Sequence, residues 1–91
     1  VVLNNDTEHL ADKYIRIIRD GLTGMYTAQN ILVIKTVSGM AMAVAAALDA
    51  MNLAEVVGSI AGDDTIMVAV RTTQDAVLVK DKIADLIKAT F

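Results

Sequence analysis

Asp63 and Asp64 are adjacent carboxylates in the stretch Gly58-Ser59-Ile60-Ala61-Gly62-Asp63-Asp64-Thr65. Two negative charges at one bend can take a cation. The candidates are a metal ion, a lysine or arginine side chain, or a cationic small molecule. Aspartate is also an ordinary turn residue, because its carboxylate bonds the local backbone. The pattern alone favours that plainer reading, and elementary chemistry stops at "cation".

The elements around the pair would hold it rigidly. Residues 55–61 read as a strand leading in. Ile66-Met67-Val68-Ala69-Val70 is apolar at every position. Such a run reads as a strand covered on both faces, here residues 65–71. Gly62 is expected to supply the backbone freedom of the turn. Binding groups concentrate on loops of this kind, carried by rigid elements.

Upstream, Asn5-Asp6-Thr7 offers a helix N-cap. Leu10, Tyr14, Ile17 and Ile18 follow at helical spacing. Asp20-Gly21 closes that helix, with Gly21 expected just past its end in the left-handed conformation. Residues 22–26 and 31–36 read as a hairpin with a four-residue loop, Thr27-Ala28-Gln29-Asn30. Residues 40–51 read as a helix with one charge, Asp49, and six alanines. A helix so apolar is expected to be buried on more than one side, and its alanines let another backbone come close. Met42 and Asp49 are seven residues apart and share a face. Thr72-Thr73-Gln74-Asp75 fits a capping box opening a last helix over 73–89. Its buried stripe would be Ala76, Val79, Ile83, Leu86 and Ile87.

The predicted order is a leading helix followed by ββαββα. That is an α+β, two-layer domain, its helices packed on one face of a four-stranded sheet. If the strands flanking the central helix are parallel neighbours, their connection is a right-handed crossover. The apolar fourth strand leaves the other sheet face apolar as well, so that face is expected to meet a neighbouring subunit.

Ninety-one residues make one domain. Residues 1–6 read as a linker remnant and 7–91 as the domain. The first residue is not Met, so the chain reads as part of something longer. There is no Cys, which excludes disulfides and thiolate chemistry and accords with a cytoplasmic protein. No stretch has the length of a membrane span. Net charge is −3, and the basic residues are scattered among acids. They read as solvated faces, not as a phosphate-binding patch. Hydrophobic residues make up 55% of the chain, more than a small domain can bury alone. A homo-oligomer is expected on that ground.

The octapeptide, extended by Ile66, resembles the G-T-I-A/C-G-D-D-T-I signature of the C-terminal domain of bacterial arginine repressors. The similarity continues through Ile31-Leu32-Val33-Ile34-Lys35-Thr36, Gly39 and Leu48-Asp49, then Arg71-Thr72-Thr73. It covers roughly residues 12–86. The resemblance implies an effector-binding and oligomerisation domain that forms trimers, two of which stack into a hexamer. L-Arginine, an effector and not a cofactor, would bind between the trimers, Asp63 reaching across to its guanidinium. Asp49, Ser59, Ala61 and the Met42 position would hold the rest of the ligand, with Asp64 and Thr65 beside them. DNA would be read by an N-terminal domain outside this chain. The sequence departs from the pattern at Ser59 (usually Thr), Ser38 (usually Pro), Met40 (usually Asn or Ala) and Met42 (usually Gln). The alternative is an oligomerisation module with a degraded effector site. Catalysis has little support: there is one His, His9, and no Gly-rich phosphate loop.

Overall fold

The computed structural model describes residues 2–90, with side chains described for residues 12–88. The elements are α1 (Val2–Gly21), β1 (Leu22–Ala28), β2 (Ile31–Thr36), α2 (Ala41–Met51), β3 (Val56–Ala61), β4 (Thr65–Val70) and α3 (Thr73–Thr90). The four strands form one antiparallel sheet in the order β1-β2-β4-β3. This is the expected α+β fold with its leading helix.

Several local expectations need correction. Helix α1 starts at Val2, ahead of the proposed cap, and takes in most of the supposed linker remnant. The Leu10 and His9 side chains lie outside the described residues. The β1–β2 loop is two residues, not four, because Gln29 takes a positive φ of 55° and turns the chain at once. Strands β2 and β3 both run antiparallel to β4 and so parallel to each other, but β4 lies between them. They are not the neighbours that the crossover expectation required. Gly62 has no positive φ, so the carboxylate turn does not depend on glycine's freedom.

The core lies between the sheet's inner face and the helices. Leu32 and Ile34 of β2 and Ile66, Val68 and Val70 of β4 meet Val44 and Ala47 of α2 and Ala76, Val79 and Ile83 of α3. The predicted α3 stripe is thus buried at its first three positions, while Leu86 and Ile87 are half-buried. Helix α1 adds Ile18, with Tyr14 and Ile17 against its flank. Thr72 caps α3, its Oγ accepting the Asp75 N–H at 3.0 Å. Just before it, at the C-terminal end of β4, Asn30 holds Val70 from both sides, its carbonyl taking the Val70 N–H and its amide donating to the Val70 carbonyl.

Helix α2 is buried on one side only, through Ala41, Val44, Ala45, Ala47 and Leu48. Met42, Ala43, Ala46, Asp49 and Ala50 are exposed in the single chain. The outer sheet face is apolar, as expected. Register aligns Tyr26, Val33, Met67 and Ile60 in one row across all four strands. Of these, Ile60 is 80% exposed. No helix among the described residues is long and apolar enough to cross a membrane.

Gly21 matters for a reason the sequence did not show. It is the last helical residue, and its φ is not positive. A Cβ there would come within 2.7 Å of Val44 Cγ2, on the buried side of α2. Glycine lets α1 approach α2. Gly21→Ala should therefore lower stability by about 1 kcal/mol or more despite alanine's better helix propensity, because overpacking outweighs it. Gly58→Ala, where a Cβ meets open space, should stay within about 0.5 kcal/mol of wild type. Denaturant melts of both variants check this.

Lys82 is not the solvated charge expected. Its Nζ donates to both Glu55 oxygens, at 2.9 and 2.8 Å, tying α3 to the start of β3. That hydrogen bond holds the Glu55 carboxyl below its ordinary 4.5. A depressed carboxylate contributes stability above its unfolded pKa and loses it as pH falls through the folded one. The melting-temperature gap between wild type and Lys82→Met should be open at neutral pH and close as pH drops below about 4.5. Melts across pH 3–7 read this directly.

Candidate functional site

The β3–β4 turn is fixed by main-chain groups. Its neck is closed by the Gly62 N–H, which donates to the Thr65 carbonyl at 2.8 Å. The Asp63 carbonyl accepts two N–H groups, from Gly39 and from Ala41, both at 3.1 Å. The Asp64 carbonyl accepts the Thr36 N–H at 2.8 Å. Met40, at the N-cap of α2, provides no side-chain cap. The Asp63 carbonyl thus satisfies a helix N-terminal donor that would otherwise lack a partner. Gly39, at φ 82°, gives the β2–α2 connection the shape that lets these groups converge.

With the backbone so held, the two carboxylates part company. Asp63 accepts a hydrogen bond from Ser38 Oγ at 2.9 Å, and among the described residues no ion pair is found at it. It sits beside the N-terminus of α2, whose positive end favours an anion. Asp64 faces the other way. Its Oδ1 takes the Thr65 hydroxyl at 2.9 Å and lies 3.7 Å from Lys35 Nζ. Lys35 Nζ also donates to Thr65 Oγ1. Together the Thr65 hydroxyl and then the Lys35 charge hold the Asp64 carboxyl below its usual 3.8.

The remaining candidates lie along α2 and the edge strand β3. Helix α2 starts at the Asp63 turn and ends shortly before β3 begins, so the two run in opposite directions. Ser59 and Ala61 pair with Val68 and Ile66, whose side chains are in the core, so both belong to the helix-covered face. A cavity of about 150 Å³ opens between the end of α2 and β3. Asp49 and Ser59 line it together with Asn52, Leu53, Val57 and Gly58. Met42 stands at the other end of the same helix face, next to Ala41 and 72% exposed.

The structure therefore divides the predicted residues between the two faces of the sheet. Asp49 and Ser59 line the α2–β3 cavity, Ala61 shares the helix-covered face with Ser59, and Met42 lies two turns before Asp49 on α2 without lining the cavity. Thr65 pairs with Lys35 on the outer sheet face, and Asp64 joins them there. Sequence reading missed two contributors. Ser38 was noted only as a departure from a pattern, yet it is the hydrogen-bond donor to Asp63. Lys35 was counted among solvated charges, yet it is paired inside the site. Strand alternation held the signal for Lys35: two residues before it, Val33 is on the outer face, so Lys35 is there too.

The profile of the family described as "Arginine repressor, C-terminal domain" matches residues 18–85. The chain is 58% identical over 87 residues to the arginine repressor of Lachnoclostridium phytofermentans, covering 96% of this chain and 57% of that protein. It is 57% identical over 86 residues to the arginine repressor of Lachnospira eligens, covering 94% and 57%. With the arginine repressor of Caldicellulosiruptor bescii it shares 40% identity over 88 residues, covering 97% and 55%. The chain thus spans a little over half the length of these curated relatives. They carry the name of a regulator, not of an enzyme. On the extent of the profile match and the level of these identities, the chain belongs to the arginine repressor C-terminal domain family.

Proposed function

We propose that this chain is the L-arginine-sensing and oligomerisation domain of a cytoplasmic transcriptional regulator of arginine metabolism. The carrying observation is the asymmetry of the carboxylate pair. Asp64 is paired within the chain, whereas Asp63, at a helix N-terminus, has among the described residues the Ser38 hydroxyl and no cation. A guanidinium is planar and offers paired donors matched to one carboxylate. In this reading two trimers stack, and Asp63 of one reaches the guanidinium of an arginine lodged in the α2–β3 groove of the other. Asp49 meets the ligand's ammonium group, Ser59 gives a hydroxyl, and Ala61 and Met42 form the wall. Asp64 and Thr65 support the turn. A ligand shared by two trimers stabilises the hexamer by mass action. The apolar sheet face and the alanine-rich face of α2 give the trimers surface to bury. DNA would be contacted by the part of the protein outside this chain.

Met42, standing where the family pattern has Gln, favours a second reading, in which the chain oligomerises but its effector site has decayed. A thioether is a poor hydrogen-bond partner for a charged ligand. Calorimetric titration with arginine separates the two.

Asp63→Asn should keep the fold and abolish the rise in melting temperature that arginine gives the wild type. The amide has the carboxylate's shape but not its charge-assisted bonding. Light scattering on the same samples should show arginine shifting wild type, and not the variant, towards hexamer. A monomer throughout would overturn the assembly.

Met42→Gln should tighten arginine binding. One regained hydrogen bond to a charged group is worth ~1.5 kcal/mol, about tenfold in affinity. Since Met42 is exposed in the single chain, the change leaves the core alone. Unchanged or weaker binding with an intact hexamer would mean that Met42 is not a pocket residue.

A further inference from the structure

The proposed site contains a cation of its own. Lys35 is on β2, paired in register with Thr65, and its chain reaches along the outer sheet face to the turn. Its ammonium group bonds Thr65 Oγ1 and lies 3.7 Å from Asp64 Oδ1. Thr65 in turn donates its proton to the same Asp64 oxygen at 2.9 Å. The three side chains form a closed ring. The hydroxyl can play both parts because it accepts from the ammonium and donates to the carboxylate. The Asp64 main chain is held separately, through its carbonyl and the Thr36 N–H.

We infer that Lys35 is the residue that sets the specificity of this site: by engaging Asp64, directly and through Thr65, it leaves Asp63, and not Asp64, as the turn carboxylate offered to a ligand's head group, so that the site selects a guanidinium over an ammonium head group. The inference rests on the proposed arginine-sensing role and deepens it. A lone carboxylate with two parallel oxygens matches the two-pronged edge of a guanidinium. An ammonium group is a compact point charge with three rotatable donors. It gains most where several acceptors surround it, which is what a second free carboxylate would supply. With Asp63, Asp64 and Lys35 all charged, the corner carries one net negative charge. Without Lys35 it carries two.

Lys35 touches no ligand in this scheme. It is a positioning residue that works through Asp64, and three consequences follow. Lys35→Met keeps most of the side-chain stem and removes the charge. It should raise the affinity for L-lysine relative to L-arginine by roughly threefold or more, the scale of one exposed charge pair. Lys35→Arg, which keeps a cation that can reach Asp64, should restore the wild-type ratio. In an Asp64→Asn background, Lys35→Met should leave the ratio unchanged, because there is no freed carboxylate to recruit.

The experiment is isothermal titration of wild type and these variants with L-arginine and L-lysine, with melting curves to confirm folding. A shifted ratio in Lys35→Met, rescued by Lys35→Arg and silenced by Asp64→Asn, is the expected result. A ratio that stays at the wild-type value in a folded Lys35→Met protein overturns the inference. A second readout does not need a ligand. Asp64 faces Lys35 and Thr65, and among the described residues no other cation forms an ion pair with it; its neighbour in sequence is Asp63. Carboxyl-detected NMR titration should find Asp64 titrating higher in Lys35→Met than in wild type. No change in that midpoint overturns the inference whatever arginine does. If wild type binds no arginine while the midpoint still moves, the arginine-sensing role fails and the engagement of Asp64 by Lys35 stands.

Discussion

Three main-chain N–H groups, from Thr36, Gly39 and Ala41, end on the carbonyls of Asp63 and Asp64. That convergence fixes the relation between the β3–β4 turn, the end of β2 and the start of α2. It also divides the labour within two residues. Their backbone oxygens do the structural work, so their carboxylates are not needed to hold the turn. Aspartate in turns usually spends its side chain on the local backbone. Here the side chains also bond Ser38, Thr65 and Lys35, all through groups that a competing ligand can address.

Much of the fold was legible in the sequence. Alternation and apolar runs identified every strand, and Thr72 and Asp75 marked the start of α3 by local bonding alone. The errors came where one residue answers to a partner distant in sequence. Gly21 looked like a helix stop, but its lack of a side chain is required by Val44 on another helix. Gly62 looked like a turn glycine, but the turn is held from outside by β2 and α2. Gln29 gave no sign that it would take the left-handed conformation and shorten the hairpin loop.

For the candidate site, the sequence offered a set of residues but not their arrangement. The resemblance to arginine repressors pointed to Asp63, Asp64, Asp49, Ser59, Ala61, Thr65 and Met42 as one group. Which of them face each other depends on the pleat. Ser59 and Ala61 belong to the helix-covered face, and Thr65 belongs to the opposite one. A one-residue step along a strand changes the face, so neighbours in the signature are separated in space. Asp63 sits in the turn that joins the two strands, its carboxylate bonded to Ser38.

That position links charge to assembly. The Tyr26, Val33, Met67 and Ile60 row runs across the outer face, and the Lys35–Thr65 pair is the next polar feature along β2 and β4. Covering the row with other copies of the chain would draw water away from the corner. The Lys35–Asp64–Thr65 ring would tolerate this, because its charges balance. Asp63 does not balance, and removing water raises the cost of leaving its charge without a counter-ion. The cost falls when a cation arrives. In the proposed assembly, apolar surface would drive association up to the point where Asp63 resists it, and a cationic ligand would remove the resistance. In this scheme ligand sensitivity needs no large conformational change, only an apolar interface with one uncompensated carboxylate at its rim.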